Sequence, residues 1–257
     1  MPWFGPLRLA GGVTGVDAYL ICAVPRTGSS LLCGLLASTG VAGRPEAYFR
    51  EPDEPLWARR WGLPAGQWRY GDYVRAALAV GRTGNGVFGA KVMWGTLDRM
   101  VDGLATEHPE LAGADDALLR RAFGRTAFVH LRRDDVLAQA VSWLRAEQTG
   151  RWTDTGPDAV DASGPPTGEP RYDPDGIDEL LGTIAEHQAA WDAWFARHGI
   201  TPHRVRYEDL AADPGGVTRG VVDALGLPSA GVPVRPRHSR QADAINAEWI
   251  ARHRSRT

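Results

Sequence analysis

Five consecutive residues, Arg26-Thr27-Gly28-Ser29-Ser30, have the types and spacing of an anion cradle. Ahead of them lies a short apolar run, Ala18-Tyr19-Leu20-Ile21-Cys22-Ala23-Val24; behind them Leu31-Leu32-Cys33-Gly34-Leu35-Leu36 leads to a stop at Gly40. The first run is too brief for a helix and suits a strand buried on both faces. Strand, tight loop and helix in that order put backbone N–H groups at a helix N-terminus, where the helix dipole favours negative charge. Arg26 adds a fixed fork of donors matched to phosphate or sulfate oxygens. The nucleoside-triphosphatase loop G-x-x-x-x-G-K-[ST] is an instructive contrast. Ala23 stands at its first glycine, and Ser29 follows Gly28 where its lysine belongs. The sequence shows no strand-end Asp for magnesium of the kind a metal-dependent kinase or ATPase requires.

A second group of candidates is Arg132-Arg133-Asp134-Asp135, with Ser142 nine residues beyond Arg133. Arg133 ends an apolar run, and the carboxyl ends of strands are where open α/β sheets bind ligands. Ser142 lies two to three turns along the following helix, so it meets the same ligand only if that helix flanks the pocket. Lys91 is the one lysine among 29 basic residues. In a chain that uses Arg so heavily, a retained lysine marks a place where a compact ammonium serves better than a guanidinium. Glu46, after Gly43-Arg44-Pro45, is either a helix-start residue or a carboxylate available for proton transfer.

The elements that must position these groups follow from the pattern. Strands are expected at 18–24, 86–92, 126–131 and 203–207, with helices after 28, from about 134 to 148, and from Ile177 to a stop at Gly199. Alternating strands and helices predict an α/β fold, a mostly parallel central sheet flanked by helices with a P-loop-like strand–loop–helix near the N-terminus. Ile177, Leu180, Leu181, Ile184, Trp191, Trp194 and Phe195 recur at helical spacing and read as core. Residues 1–257 are expected to form a single domain. Within it, 151–176 holds five prolines, four glycines and six acids, the composition of a lid or of a disordered loop. Residues 235–256 form a basic segment suited to closing over an anion.

Composition sets the outer bounds. The chain has 257 residues, 43% hydrophobic and 23% charged, enough for a large core and too apolar for disorder. A net charge of −2 gives no whole-chain case for binding nucleic acid or a membrane surface. No apolar run approaches the ~20 residues of a membrane helix. The opening Met1-Pro2-Trp3-Phe4-Gly5-Pro6 lacks the basic and apolar regions of a signal peptide. Two cysteines, Cys22 and Cys33, both among apolar neighbours, read as reduced core thiols, so a cytoplasmic protein is expected. The seven histidines show no metal-ligand spacing.

The blocks AYLICAVPRTGSSLL, STGVAGRPEAYF, NGVFGAKVMW, HLRRDDVLAQAVSWLRAEQTGRW, WDAWFARHGI, RYEDL and RQADAINAEWIARHR occur in this order across nearly the whole chain. Together they resemble sulfotransferases that use 3′-phosphoadenosine 5′-phosphosulfate, and more narrowly the bacterial trehalose 2-sulfotransferase-type family. The resemblance implies roles block by block. Arg26, Thr27, Gly28, Ser29 and Ser30 match the segment that holds the donor's 5′-phosphosulfate. Arg133 and Ser142 match the pair that holds its 3′-phosphate, and Arg240 and Gln241 match a segment that closes over the nucleotide. The family pattern after G-V-A-G-x-P usually places a glutamate, the proposed general base, immediately before two aromatics. Here Ala47 holds that position, with Glu46 one residue earlier and Tyr48-Phe49 after it.

The expectation is therefore an enzyme that moves a sulfuryl group from 3′-phosphoadenosine 5′-phosphosulfate, without a metal, to a hydroxyl of a small acceptor such as a sugar, a glycolipid precursor or a natural product. Arg26, Lys91 and Glu46 are the catalytic candidates; Glu46, Tyr48, Phe49 and Trp94 are the acceptor-site candidates. Family analogy adds a homodimer. Two alternatives stay open from the residues alone: a small-molecule kinase or other nucleotide-dependent transferase, and a nucleotide-binding homologue that lost its base at Ala47.

Overall fold

A computed structural model describes residues 15–152, 169–235 and 244–256. Four strands, β1 (Ala18–Ala23), β2 (Phe88–Met93), β3 (Thr126–Arg132) and β4 (His203–Arg206), form one sheet in the order β2-β1-β3-β4. Every pairing is parallel; Ala18 stands opposite Phe88 on one side and Thr126 on the other. The helices are α1 (Ser29–Ser38), α2 (Glu54–Arg60), α3 (Tyr70–Gly81), α4 (Trp94–Glu107), α5 (Asp115–Phe123), α6 (Val136–Thr149), α7 (Pro174–Arg197), α8 (Tyr207–Ala212), α9 (Pro214–Ala224) and α10 (Ala244–Arg254).

All six residues of β1 are buried, because this central strand is covered on both faces. Ala18, Leu20 and Cys22 join the core under α2–α7, whereas Tyr19, Ile21 and Ala23 join the core under α1 and α9. Alternation of side chains along a strand divides the run in this way. Cys22 and Cys33 consequently lie in different cores, and both are free thiols. The aromatics of α7 behave as expected, with Trp191, Trp194 and Phe195 all buried.

The sheet order matters for function. The chain leaves β1 toward the face that carries α1 and leaves β3 toward the opposite face, which carries α6. Loops that diverge in this way open a crevice between neighbouring strands at their carboxyl ends. Among the boundaries that differ by a few residues from the sequence expectation, two have a plain local cause. Gly86, at φ 87°, belongs to a turn, so β2 begins at Phe88. Asp135 caps α6, its carboxylate accepting the Ala138 N–H at 3.0 Å, so that helix begins at Val136.

Candidate active site

The β1–α1 loop is held by its carbonyls. Trp191 Nε1 donates to the Ala23 carbonyl at 3.0 Å and Thr27 Oγ1 to that of Val24 at 2.9 Å. Gln139 Nε2 donates to Pro25 at 2.7 Å, and an Arg133 guanidinium nitrogen donates to Arg26 at 3.3 Å. Four successive carbonyls thus turn toward side-chain donors, and α1 begins directly after them with N–H groups that have no intrahelical acceptor. Arg26 has φ 65°, the only non-glycine residue at positive φ among the described residues. Gly28, at φ 84°, sits against Tyr207, whose ring would lie 2.5 Å from a β-carbon there.

The second candidate pair adjoins this loop. Arg26 Nε donates to the Ser142 hydroxyl at 2.9 Å, and Arg26 also donates to the Trp152 carbonyl. Helix α6 therefore flanks the loop. The Arg133 guanidinium lies over the Tyr207 ring, 4.7 Å from its centroid. The next residue along, Glu208, accepts the N–H groups of Asp134 and Asp135 at 3.1 and 3.3 Å, while Arg206 pairs with Asp134. Arg206-Tyr207-Glu208 in this way ties the loop after β3 to the loop after β1.

On the other side of β1, Lys91 Nζ donates to the Ser30 hydroxyl at 3.1 Å. The segment around Glu46 runs beside β2, pairing Glu46 with Ala90, and the Glu46 carbonyl accepts the Lys91 N–H at 2.9 Å. Glu46 is exposed. Lys91 and Glu46 both act electrostatically on the Cys33 thiol beneath them, which burial pushes up to about 12. Glu46, Lys91 and Ser30 form one edge of the crevice.

Two acceptor-site expectations need correction. Tyr48 and Phe49, at 1% and 0% exposure, are core residues rather than an acceptor surface. Tyr48 packs on Trp57 and Phe88, and Phe49 on Tyr73 and Phe123. Burying these rings anchors the segment that presents Glu46. Trp94, half-buried at the start of α4, meets Trp191 edge to face at 5.2 Å, behind the strand end that carries Lys91.

Arg240 and Gln241 lie outside the described residues, as do 153–168 of the expected lid segment. Helix α10, a few positions further along the chain than Gln241, packs along α6 through buried Trp249 and an Arg145–Asn246 hydrogen bond of 2.7 Å. An open cavity of about 500 Å³ occurs elsewhere, beside β4. Its arginines are already matched: Arg132 and Arg204 pair with Asp192, and Arg206 with Asp134 and Asp209. Among the described residues no group of three His, Cys, Asp or Glu side chains is placed to hold a metal ion. No described helix is long and apolar enough to cross a membrane.

The family model described as Stf0 sulphotransferase matches residues 18–256. The chain belongs to this family. It is 32% identical over 274 aligned residues to a trehalose 2-sulfotransferase of Mycolicibacterium smegmatis, covering 92% of this chain and 94% of the relative. A trehalose 2-sulfotransferase of Mycobacterium tuberculosis is also 32% identical, over 93% and 95% of the two chains. A solved sulfotransferase from Alicyclobacillus acidocaldarius aligns with a TM-score of 0.47 and 17% identity over 93% and 92% of the two chains. The protein is thus a sulfotransferase, and membership of the family implies a sulfate-donor co-substrate.

Residue type and spacing assign no role to the side chains that support this sulfotransferase's loop. Tyr207 and Glu208 stand in the block RYEDL, which carried the resemblance but no stated role. Trp191 read simply as core. Gln139 carried one usable signal, an amide inside the otherwise apolar stretch Val136-Leu137-Ala138-Gln139-Ala140-Val141.

Proposed function

We propose that this sulfotransferase takes its sulfuryl group from 3′-phosphoadenosine 5′-phosphosulfate and transfers it to a hydroxyl of a small carbohydrate. Three cations gathered around the loop that opens α1 carry the reading: Lys91 on the Ser30 hydroxyl, Arg133 on the Arg26 carbonyl, and Arg26 on the Ser142 hydroxyl. Cationic forks and helix N-terminal N–H groups fit the two phosphate-bearing ends of such a donor. The names of the relatives favour a disaccharide-sized polyol, and trehalose is the first acceptor to test.

In this reading Arg26 and the N–H groups of residues 27–30 hold the 5′-phosphosulfate, while Arg133 and Ser142 hold the 3′-phosphate. Arg240 and Gln241 close over the nucleotide. Glu46 accepts the proton of the attacking hydroxyl, a contribution of typically ~10²–10⁴-fold. As the acceptor O–S bond forms, the bond from sulfur to the bridging phosphate oxygen breaks, and the electron pair leaves with the phosphate. Arg26 and the loop amides stabilise the charge that builds there, and Lys91 places its ammonium beside Ser30 at the transferring group. No step needs a metal. The free, buried thiols suit a reducing cytoplasm, and a homodimer belongs to the same reading.

A thermal-shift titration with 3′-phosphoadenosine 5′-phosphate tests the donor assignment. The wild type should be stabilised as ligand rises through its dissociation constant, and Arg133→Ala should lose the response at the same concentrations. A wild type that shows no stabilisation overturns the assignment.

A further inference from the structure

Of the four side chains that tie down the β1–α1 loop, Gln139 has no other evident task. Thr27 belongs to the loop, Trp191 fills the core, and Arg133 faces the proposed nucleotide site. Gln139 is 0% exposed on α6, one turn before Ser142, and gives its Nε2 to the Pro25 carbonyl. Its Oε1 is buried and has no hydrogen-bonding partner among the described residues. A leucine or methionine would fill the space without stranding an acceptor, so packing does not account for an amide here.

The geometry of the loop does account for it. A peptide unit is planar, so fixing the Pro25 carbonyl points the N–H of Arg26 the opposite way. Proline has no N–H, which leaves that carbonyl as the only backbone polar group of residue 25. The next residue, Arg26, holds a left-handed conformation without being glycine. Such a conformation persists only where its surroundings over-determine it.

We infer that Gln139 is a positioning residue of the donor loop, holding the Pro25–Arg26 peptide so that Arg26 and the amides after it face the 5′-phosphate end of the nucleotide. The inference rests on the donor-site reading under Proposed function. It is specific to one end of the ligand, because Gln139 acts on the β1–α1 loop and touches neither Arg133 nor Tyr207 in any hydrogen bond described.

The experiment compares two ligands on the full chain. Calorimetry with 3′-phosphoadenosine 5′-phosphate and with adenosine 3′-monophosphate, which lacks the 5′-phosphate, is run on wild type and Gln139→Met. The bisphosphate should bind the variant about tenfold more weakly, on the scale of one net hydrogen bond. Adenosine 3′-monophosphate should bind both proteins within about twofold of each other. Unchanged bisphosphate affinity, or equal loss for both ligands, overturns the inference while leaving the donor site standing. A wild type that binds neither ligand removes the donor-site reading and this inference with it. Gln139→Leu, which also lacks the donor, is read in the same way should Gln139→Met not fold.

Discussion

Lys91 reaches from β2 across the sheet end to the hydroxyl of Ser30, 3.1 Å away in the first turn of α1. The chain's one lysine therefore stands on the loop that the sulfate donor is proposed to occupy. An ammonium placed there meets charge that develops during transfer more than charge present at binding. Lys91→Arg and Lys91→Met should each lower kcat by about 10–10³-fold and leave affinity for 3′-phosphoadenosine 5′-phosphate within about threefold. Steady-state kinetics beside calorimetry reads the split. Equal loss in both, or loss in neither, removes Lys91 from the reacting end of the site.

Glu46 is the second discriminating residue, since Ala47 occupies the position where the family pattern has its base. The backbone pairing of Glu46 with Ala90 puts it next to Lys91 and at the surface of the crevice. Glu46→Gln should reduce kcat by about 10²–10⁴-fold, with unchanged nucleotide affinity and melting temperature. Wild-type turnover in this variant would move the base elsewhere.

Gly28 and Tyr207 leave no room for each other to grow. A β-carbon on Gly28 would stand 2.5 Å from the Tyr207 ring, and φ 84° is strained for any other residue. Gly28→Ala should cost about 1–3 kcal/mol from the backbone alone and displace the ring from beneath Arg133. Thermal denaturation should show the loss, and nucleotide titration should show weaker binding. A variant that melts and binds like the wild type contradicts the packing described.

How much of this was open to the sequence depends on whether a role is local. The run 18–24 followed by Arg26–Ser30 is continuous in the chain, and both the central strand and the loop were legible there. Ser142 was legible only conditionally, since its use depends on where α6 packs. Tyr48 and Phe49 misled because two aromatics beside a candidate base serve a core as well as an acceptor surface. Gln139 and Trp191 reach carbonyls of the β1–α1 loop, and Tyr207 packs its ring on Gly28, all more than a hundred positions away in the chain, a relationship that residue type and spacing do not encode.

His130 provides a check on the fold that is independent of catalysis. It is 1% exposed on β3, with Arg204 3.4 Å and Asp192 3.9 Å from its Nδ1 and the Phe195 ring beside it. Burial lowers its pKa to about 4, with the Asp192 carboxylate opposing the shift and Arg132 and Arg204 adding to it. Its unfolded value is about 6.5. Below that pH the unfolded chain binds a proton that the folded chain refuses until about pH 4, so stability is full above 6.5 and declines as pH falls toward 4. The decline from this one group reaches about 3 kcal/mol at most. His130→Asn should flatten the pH dependence in that window, measured by urea unfolding at pH 7 and pH 5. An unchanged slope would mean that His130 titrates normally.

The central claim is sulfuryl transfer from 3′-phosphoadenosine 5′-phosphosulfate, and its most direct test is to follow both products by mass spectrometry in a metal-free reaction with a panel of sugars that includes trehalose. The account predicts one equivalent of 3′-phosphoadenosine 5′-phosphate for each sulfated sugar, with both products lost together in Arg133→Ala. Magnesium-dependent consumption of ATP with no use of the sulfate donor, or nucleotide binding with no transfer to any acceptor, would contradict it.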